Sequence, residues 1–252
     1  MKKILAIVMA LVLMCGMLVS CDNALSLIAK ADEALKNEPY AITMKMDFQC
    51  DNEDINKIFS VMNMEIPATV DGKNMAMDMS MDVGGYKADA KVSVVDMVMY
   101  YNIEMMGQSV KMKATMNEEQ YKEFMAESNT QMMVDPADFG KLTVETRDGK
   151  KYIACGEISE EGLNELNDMM KEALKSINGE ATVSAVTYGV TLNNGKYESM
   201  DMTCDYSVTV ADETCNVTFK LSAEFSYDNV AKITVPADAD KYQEMSFDDL
   251  MG

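Results

Sequence analysis

The sequence predicts an α+β domain built on one large curved antiparallel β-sheet, an open half-barrel with about three helices on its concave face. Three observations carry that expectation. A single helix-period segment near the start gives way to a long series of segments with period two. The tight-turn signals between those segments set apolar face against apolar face, which register demands when one side is buried. Two further helical segments interrupt the strands instead of forming a block of their own.

The elements follow in order. From Asp22 to Asn37 the apolar positions Leu25, Ile28, Ala31 and Leu35 recur at helical spacing, and Pro39 ends the run. Tyr40, Ile42, Met44, Met46, Phe48 and Cys50 then alternate with smaller or polar residues, the pattern of a strand with one wet face. Residues 51–68 are less regular, and Ile55, Ile58, Phe59 and Met62 fit a short helix or lid. Met75, Met77, Met79 and Met81 share the face of the next strand, and Gly84-Gly85 is a hairpin signal that sets Met81 against Ala88 and Met79 against Ala90. The third strand runs on through Val92 and Val94. The fourth points Met97, Met99, Tyr101 and Ile103 inward, with Asp96, Asn102 and Glu104 outward. A turn near Met106-Gly107 leads to a fifth with Val110, Met112 and Ala114 inward.

Asn117 with Gln120 reads as a capping box for a short helix carrying Tyr121, Phe124 and Met125. Beyond Pro136, the Asp148-Gly149 turn places Val144 opposite Ile153 and Leu142 opposite Cys155. Ser159 starts a helix with Leu163, Leu166, Met170, Ala173, Leu174 and Ile177 as its stripe. The final third is sheet again. A three-residue loop ending at Gly195 would set Leu192 against Lys196 and Val186 against Met202. A turn at Asp212-Glu213 would set Cys204 against Leu221 and Cys215 against Val210, leaving Cys204 and Cys215 roughly 20 Å apart. A disulfide needs Cα atoms within about 7 Å, so that pair is not expected to bridge. No segment reads as an interdomain linker.

Composition removes several function classes. The 252 residues include no His and no Trp, with 42 acidic and 22 basic side chains and a net charge of -20. Without imidazole, Ser/His/Asp and Cys/His catalysis and His-ligated zinc are unavailable. A deficit of basic residues gives no footprint for nucleic acid. Carboxylates fall on outward strand positions, so no catalytic residues are assigned. The Asp51-Asn52-Glu53-Asp54 loop lacks EF-hand spacing and its glycine. No metal site and no cofactor are expected.

The start of the chain is an address. Lys2 and Lys3 precede the apolar run Ile4–Leu18, too short for an ordinary membrane span. Leu18-Val19-Ser20-Cys21 resembles the lipobox of bacterial lipoproteins. That resemblance implies a signal peptide over residues 1–20, cleavage before Cys21, and a diacylglyceryl (palmitate-type) anchor on Cys21 that holds the protein stably at the outer face of the cell membrane. A single domain would then occupy residues 21–252. Loss of Lys2 and Lys3 takes the net charge from -20 to -22, so the domain is repelled by anionic headgroups and does not lie flat on them.

The lipobox, the helix containing Ala24-Leu25-Ser26-Leu27-Ile28-Ala29-Lys30-Ala31, the strand Tyr40-Ala41-Ile42-Thr43-Met44-Lys45-Met46 and the long meander with inserted helices together resemble the LolA/LolB and LppX-like lipoprotein superfamily. The resemblance spans most of residues 22–236 and rests on layout. It implies an open half-barrel whose concave side, covered by helices, holds acyl chains.

Methionine sharpens that expectation. Of 27 methionines, 23 lie beyond the signal peptide, preferentially on inward strand positions. Met adapts to changing contents and is over-used at promiscuous apolar surfaces. Phe48, Met75, Met77, Met79, Met97, Met99, Tyr101 and Met112 are therefore the expected lining of a cavity for a lipid-like ligand. Two other readings use the same residues. A structural or interaction lipoprotein would use Met as core filling. Cu(I) binding would draw on Met75, Met77, Met79 and Met81 and on the MxM pairs, with soft thioethers as ligands. Alternate sulfurs of one strand lie about 6.6 Å apart, so copper requires sulfurs of neighbouring strands to converge.

Overall fold

The computed structural model describes residues 22–53, 63–83, 86–122, 124, 142–155, 158–174, 180–210 and 213–251. Cys21, residues 1–20, and Ile55, Ile58, Phe59, Met62, Met125 and Ile177 lie outside them. Among the described residues, twelve strands form one open sheet accompanied by four helices.

Helix α1 (Asp22–Asn37) buries Ala24, Ile28 and Ala31, positions four and three apart on one face. Its last turn carries Lys36 at the negative end of the dipole, and the Asn37 amide donates to the Glu33 carbonyl at 2.8 Å. The strands are β1 (Tyr40–Cys50), β2 (Met64–Asp71), β3 (Asn74–Val83), β4 (Tyr86–Val95), β5 (Val98–Met105), β6 (Gln108–Thr115), β7 (Leu142–Arg147), β8 (Lys150–Cys155), β9 (Glu180–Asn193), β10 (Lys196–Val210), β11 (Glu213–Ser226) and β12 (Gln243–Glu244). Helix α2 comprises 118–122 and 124, α3 is Glu160–Leu174 and α4 is Phe247–Met251.

The sheet order is β12-β6-β5-β4-β3-β2-β1-β11-β10-β9-β8-β7. All ladders are antiparallel except β12 on β6. Helix α1 touches both β10 and β7, three strands apart. On a flat sheet those strands would stand about 14 Å apart, wider than the helix, so the sheet curls around it. Helix α3 packs on β9. Its cap is Ser159, whose Oγ accepts the Gly162 N–H at 3.1 Å.

The expected pairings Met81↔Ala88, Met79↔Ala90, Val144↔Ile153 and Leu142↔Cys155 are present. In the strands and turns the structure corrects four other expectations. Strand β2 occupies the end of the stretch read as irregular. Pro67, which hid it, pairs with Thr43 of β1, while the ladder to β3 starts only at Ala68, so no hydrogen bond on that side is lost. Met97 is not a strand residue: Asp96 and Met97 form the β4–β5 turn at φ 50° and 64°, with the Asp96 N–H donated to Asn74 Oδ1 at 3.1 Å. The β9–β10 connection is a two-residue Asn194-Gly195 turn (φ 53° and 78°) followed by a bulge between Tyr197 and Ser199, so Leu192 faces Tyr197 and Val186 faces Cys204. In the last hairpin Val210 pairs with Glu213, which puts Cys204 against Phe219 and Cys215 against Val208. The two cysteines are thus four residues apart along the ladder, about 13 Å, and still too far to bridge.

The convex face is partly dry as well. The chain after β11 crosses it, burying Ile233 with Val95 and Tyr100, and Tyr242 meets the Tyr100 ring edge-on at 5.5 Å. Asp238 pairs with Lys111 there. Asn102, expected in solvent, is buried and its Oδ1 accepts the Ser109 hydroxyl at 2.8 Å. The tail then rounds the β6 edge as β12 and reaches the concave side, where Phe247 and Leu250 of α4 join the core.

Candidate functional site

Across β2–β6 the concave face is a continuous apolar surface because three successive rows of paired residues on it are apolar against apolar. One row crosses Val70, Met75, Val94, Met99 and Ala114; the next crosses Ile42, Ala68, Met77, Val92, Tyr101 and Met112; a third carries Met79, Ala90, Ile103 and Val110. Six of the expected lining residues, Met75, Met77, Met79, Met99, Tyr101 and Met112, therefore form one patch on β3–β6. Met97 borders it from the turn. Phe48 does not join it: it sits on the β1–β11 seam, its ring 4.7 Å from Phe219.

The patch is closed at one end. Asn117 Oδ1 accepts the N–H groups of Glu119 and Gln120, and Gln120 Oε1 accepts the Asn117 N–H at 3.0 Å, the expected capping box. That start aims Tyr121 at the β2–β3 turn, where its hydroxyl donates to the Lys73 carbonyl at 3.0 Å. Phe124 meets Phe247 of α4 edge-on at 6.3 Å, so α2 and α4 lock over Met116 and the first row. The far end is different. Met105, Met106 and Val110 are 40%, 64% and 52% exposed, an apolar rim on the β5–β6 hairpin. Burial raises the Tyr101 hydroxyl pKa, consistent with an apolar surround.

Sequence reasoning missed Met64, Ile66, Met116, Phe247 and Leu250 as parts of this core. Met116 had a signal, since it immediately precedes the capping box. The last two had none, because nothing local says that the tail returns to the concave side.

A second feature lies where α1 meets β10. The Tyr197 hydroxyl donates to Asp32 Oδ1 at 2.7 Å, and Lys196 pairs with Glu38 at 2.6 Å. Burial raises the Asp32 pKa, opposed by that bond and by Lys36. Tyr197, Phe225, Tyr227 and the Asn193–Lys196 turn line a half-open cavity of about 290 Å³. Lys196 lies 4.9 Å from the Tyr227 ring centre, a cation–π contact. Of the cavity's charged lining, Lys196 is paired with Glu38 and Glu198 with Lys150.

Soft-metal chemistry meets an obstacle in the register. Val and Ala stand opposite Met75, Met77, Met79 and Met81 on β4 and opposite Met75 and Met77 on β2, so these ladders set no second methionine directly across from the run. Met46 against Met64 is the direct Met–Met pair among the described ladders. No group of three or more His, Cys, Asp or Glu side chains suited to a metal occurs among the described residues. Asp51, in the loop weighed for calcium, is committed to Asn216: its carboxylate accepts the Asn216 N–H at 2.9 Å and side-chain amide at 2.7 Å, which lowers its pKa. No helix among the described residues is long and apolar enough to cross a membrane.

A model described as a family of unknown function, DUF6612, matches residues 21–244. The chain belongs to DUF6612. Nearly the whole sheet of this DUF6612 protein, including the tail as far as β12, lies inside the matched span. Comparison of the DUF6612 chain with curated proteins finds no match. Among solved structures it is similar to the YwiB protein of Bacillus subtilis at 8% identity, with 75% of this chain and 92% of that chain covered and a TM-score of 0.23.

Proposed function

We propose that the protein is an exported, Cys21-anchored lipoprotein at the outer face of the cell membrane, and that its half-barrel holds a lipid-like ligand against the methionine patch. The observation that carries this reading is the asymmetry of the patch. Six methionine and tyrosine positions on three strands, β3, β5 and β6, are roofed by α2 and α4 at one end and open onto an exposed apolar rim at the other. A flexible acyl chain fits such a surface, because unbranched thioether side chains re-pack around it. The lipobox-like Leu18-Val19-Ser20-Cys21 supports the anchor, and the family match starts at Cys21, leaving residues 1–20 outside the shared domain. The resemblance of the sequence layout to LolA/LolB and LppX-like proteins supports a carrier role. The chemistry is binding, not catalysis.

One observation favours the alternative of a filled-core interaction protein. Met77, Met79 and Met99 are only 9%, 6% and 4% exposed. A ligand must therefore displace groups that already cover them. The deciding experiment is purification without detergent, organic extraction and mass spectrometry beside a control protein, with titration of a fluorescent fatty acid. Stoichiometric recovery of one lipid class and saturable probe binding are expected. Empty extracts together with no probe binding would overturn the carrier reading and leave the filled core.

A further inference from the structure

Three cysteines fall on the same apolar face of β1, β11 and β10, reduced in the structure. The register separates Cys204 from Cys215 but brings a different pair together. Cys50 faces Val217, so Cys215 is its diagonal neighbour on the adjacent strand, on the same side of the sheet. Diagonal neighbours in a flat ladder have Cα atoms about 7–8 Å apart, at the limit of a disulfide's span, and strand twist shortens one of the two diagonals. The Cys50 thiol is close enough to help raise the pKa of the Cys215 thiol across this diagonal.

A built clamp fixes the approach. Just past Cys50 the Asp51 N–H donates to the Asn216 carbonyl at 3.1 Å, and the Asp51 carboxylate takes both the backbone and side-chain N–H groups of Asn216. Those three bonds hold the end of β1 against β11 between the two cysteines. The Cys50 sulfur also accepts the Asn52 N–H at 3.4 Å. Cys50 is half-buried and reachable from solvent, whereas Cys215 is buried.

We propose that Cys50 and Cys215 are a dithiol–disulfide pair, joined in the mature protein by exchange with an external disulfide. The Cys50 thiolate attacks one sulfur of that disulfide, releasing one thiol and leaving a mixed disulfide on Cys50. Cys215 loses its proton and attacks the Cys50 sulfur, releasing the second thiol. The external disulfide is reduced to two thiols while the two cysteines are oxidised to one disulfide. Burial first, then the Cys50 thiol and the Asp51 carboxylate, push the Cys215 thiol up to about 11, so the second step accelerates as pH rises. The bond would staple the middle of the sheet, joining the first strand, β1, to the eleventh, β11, across the central seam.

The test uses the full-length protein carrying Cys204→Ser, because one tryptic peptide, residues 197–220, otherwise holds both Cys204 and Cys215. It is exposed to oxidised glutathione, alkylated and digested without reduction. The expected product is residues 46–57 joined to 197–220, lighter by two hydrogens, with the melting temperature raised by roughly 10 °C and restored by reductant. Cys50→Ser should melt cooperatively and show neither change. Full alkylation of both cysteines after exposure, glutathione retained on Cys50 alone, or Cys215 joined to Cys155 would each overturn the proposal. Because the oxidant is added to purified protein, failure here is distinct from failure of the lipid-carrier reading.

Discussion

Replacing Tyr197 by Phe removes one hydroxyl and leaves the ring that packs 5.4 Å from Phe225. That hydroxyl is the polar tie between α1 and the sheet, donated to Asp32 Oδ1 at 2.7 Å. A bond to a charged acceptor contributes about 1.5–3 kcal/mol net, and a part-buried carboxylate loses most of it when the donor goes. For a domain of this size that is a fall of roughly 3–12 °C in melting temperature near pH 7. The pH dependence has a definite sign. Asp32 has a raised pKa in the folded state, so the fold binds its proton before the unfolded chain does, and stability from this group grows as pH falls. Without the Tyr197 donor the folded pKa rises further. The deficit of Y197F is therefore largest when Asp32 is ionised and shrinks as pH falls through its folded pKa, toward the ~0.5–1.5 kcal/mol of a neutral bond. Asp32→Asn keeps an acceptor without the charge and should be as stable as the native protein, or more so, near pH 7. Urea unfolding at about pH 7 and about pH 4 reads both variants. A Y197F deficit below about 0.5 kcal/mol near neutrality, or one that grows on acidification, would refute the reasoning.

Four further outcomes are expected. Cys21→Ser should move the protein from the membrane fraction to the soluble fraction on cell fractionation, with the domain's circular dichroism unchanged; retention on membranes would contradict the anchor. Phe219→Ala should cost about 3–5 kcal/mol in urea unfolding, with about 0.5–1.5 kcal/mol of it coupled to Phe48 in a double-mutant cycle. Asn117→Ala, which strips α2 of its cap, should lower stability by about 1 kcal/mol. Met77→Leu with Met79→Leu conserves volume and should cost under about 1.5 kcal/mol each, yet weaken fatty-acid probe binding about fivefold, or about 1 kcal/mol; unchanged affinity would favour a rigid, filled core.

Where two adjacent residues tolerate positive φ at a unique position, register could be read from the sequence. Asp148-Gly149 fixes its hairpin, and the pairing follows to the last residue. Asn193-Asn194-Gly195 offers two registers, and the choice depends on the bulge beside Tyr197, which no local residue announces. Side parity survived that error because the bulge and the shorter turn compensate: Met200, Met202 and Cys204 still face inward. Strand β2 escaped notice although Met64, Ile66, Ala68 and Val70 keep the period of two, because Pro67 reads as a strand breaker in the middle of a short run and only four residues pair with β3. The methionine patch was legible because burial on one face forces period two. Its roof was not, because Phe247 and Leu250 are placed by a tail that first crosses the convex face. Tyr100 beside Tyr101 was the missed sign that β5 is covered on both sides.

That tail also governs how the sheet ends. An open sheet has two borders whose backbone groups could recruit another molecule's strand. At one border β7 is short, and Glu145 and Arg147 stand exposed along it, which discourages docking. At the other, β6 is eight residues long and adjoins the apolar rim, and the two residues of β12, with the Met245 N–H on the Lys113 carbonyl, occupy the hydrogen-bonding positions at Met112 and Lys113. The tail after β11 thus acts as a selvedge, capping that stretch of the border nearest the methionine patch. A chain cut after residue 242 would be expected to dimerise or aggregate through β6 before the rest of the sheet unfolds.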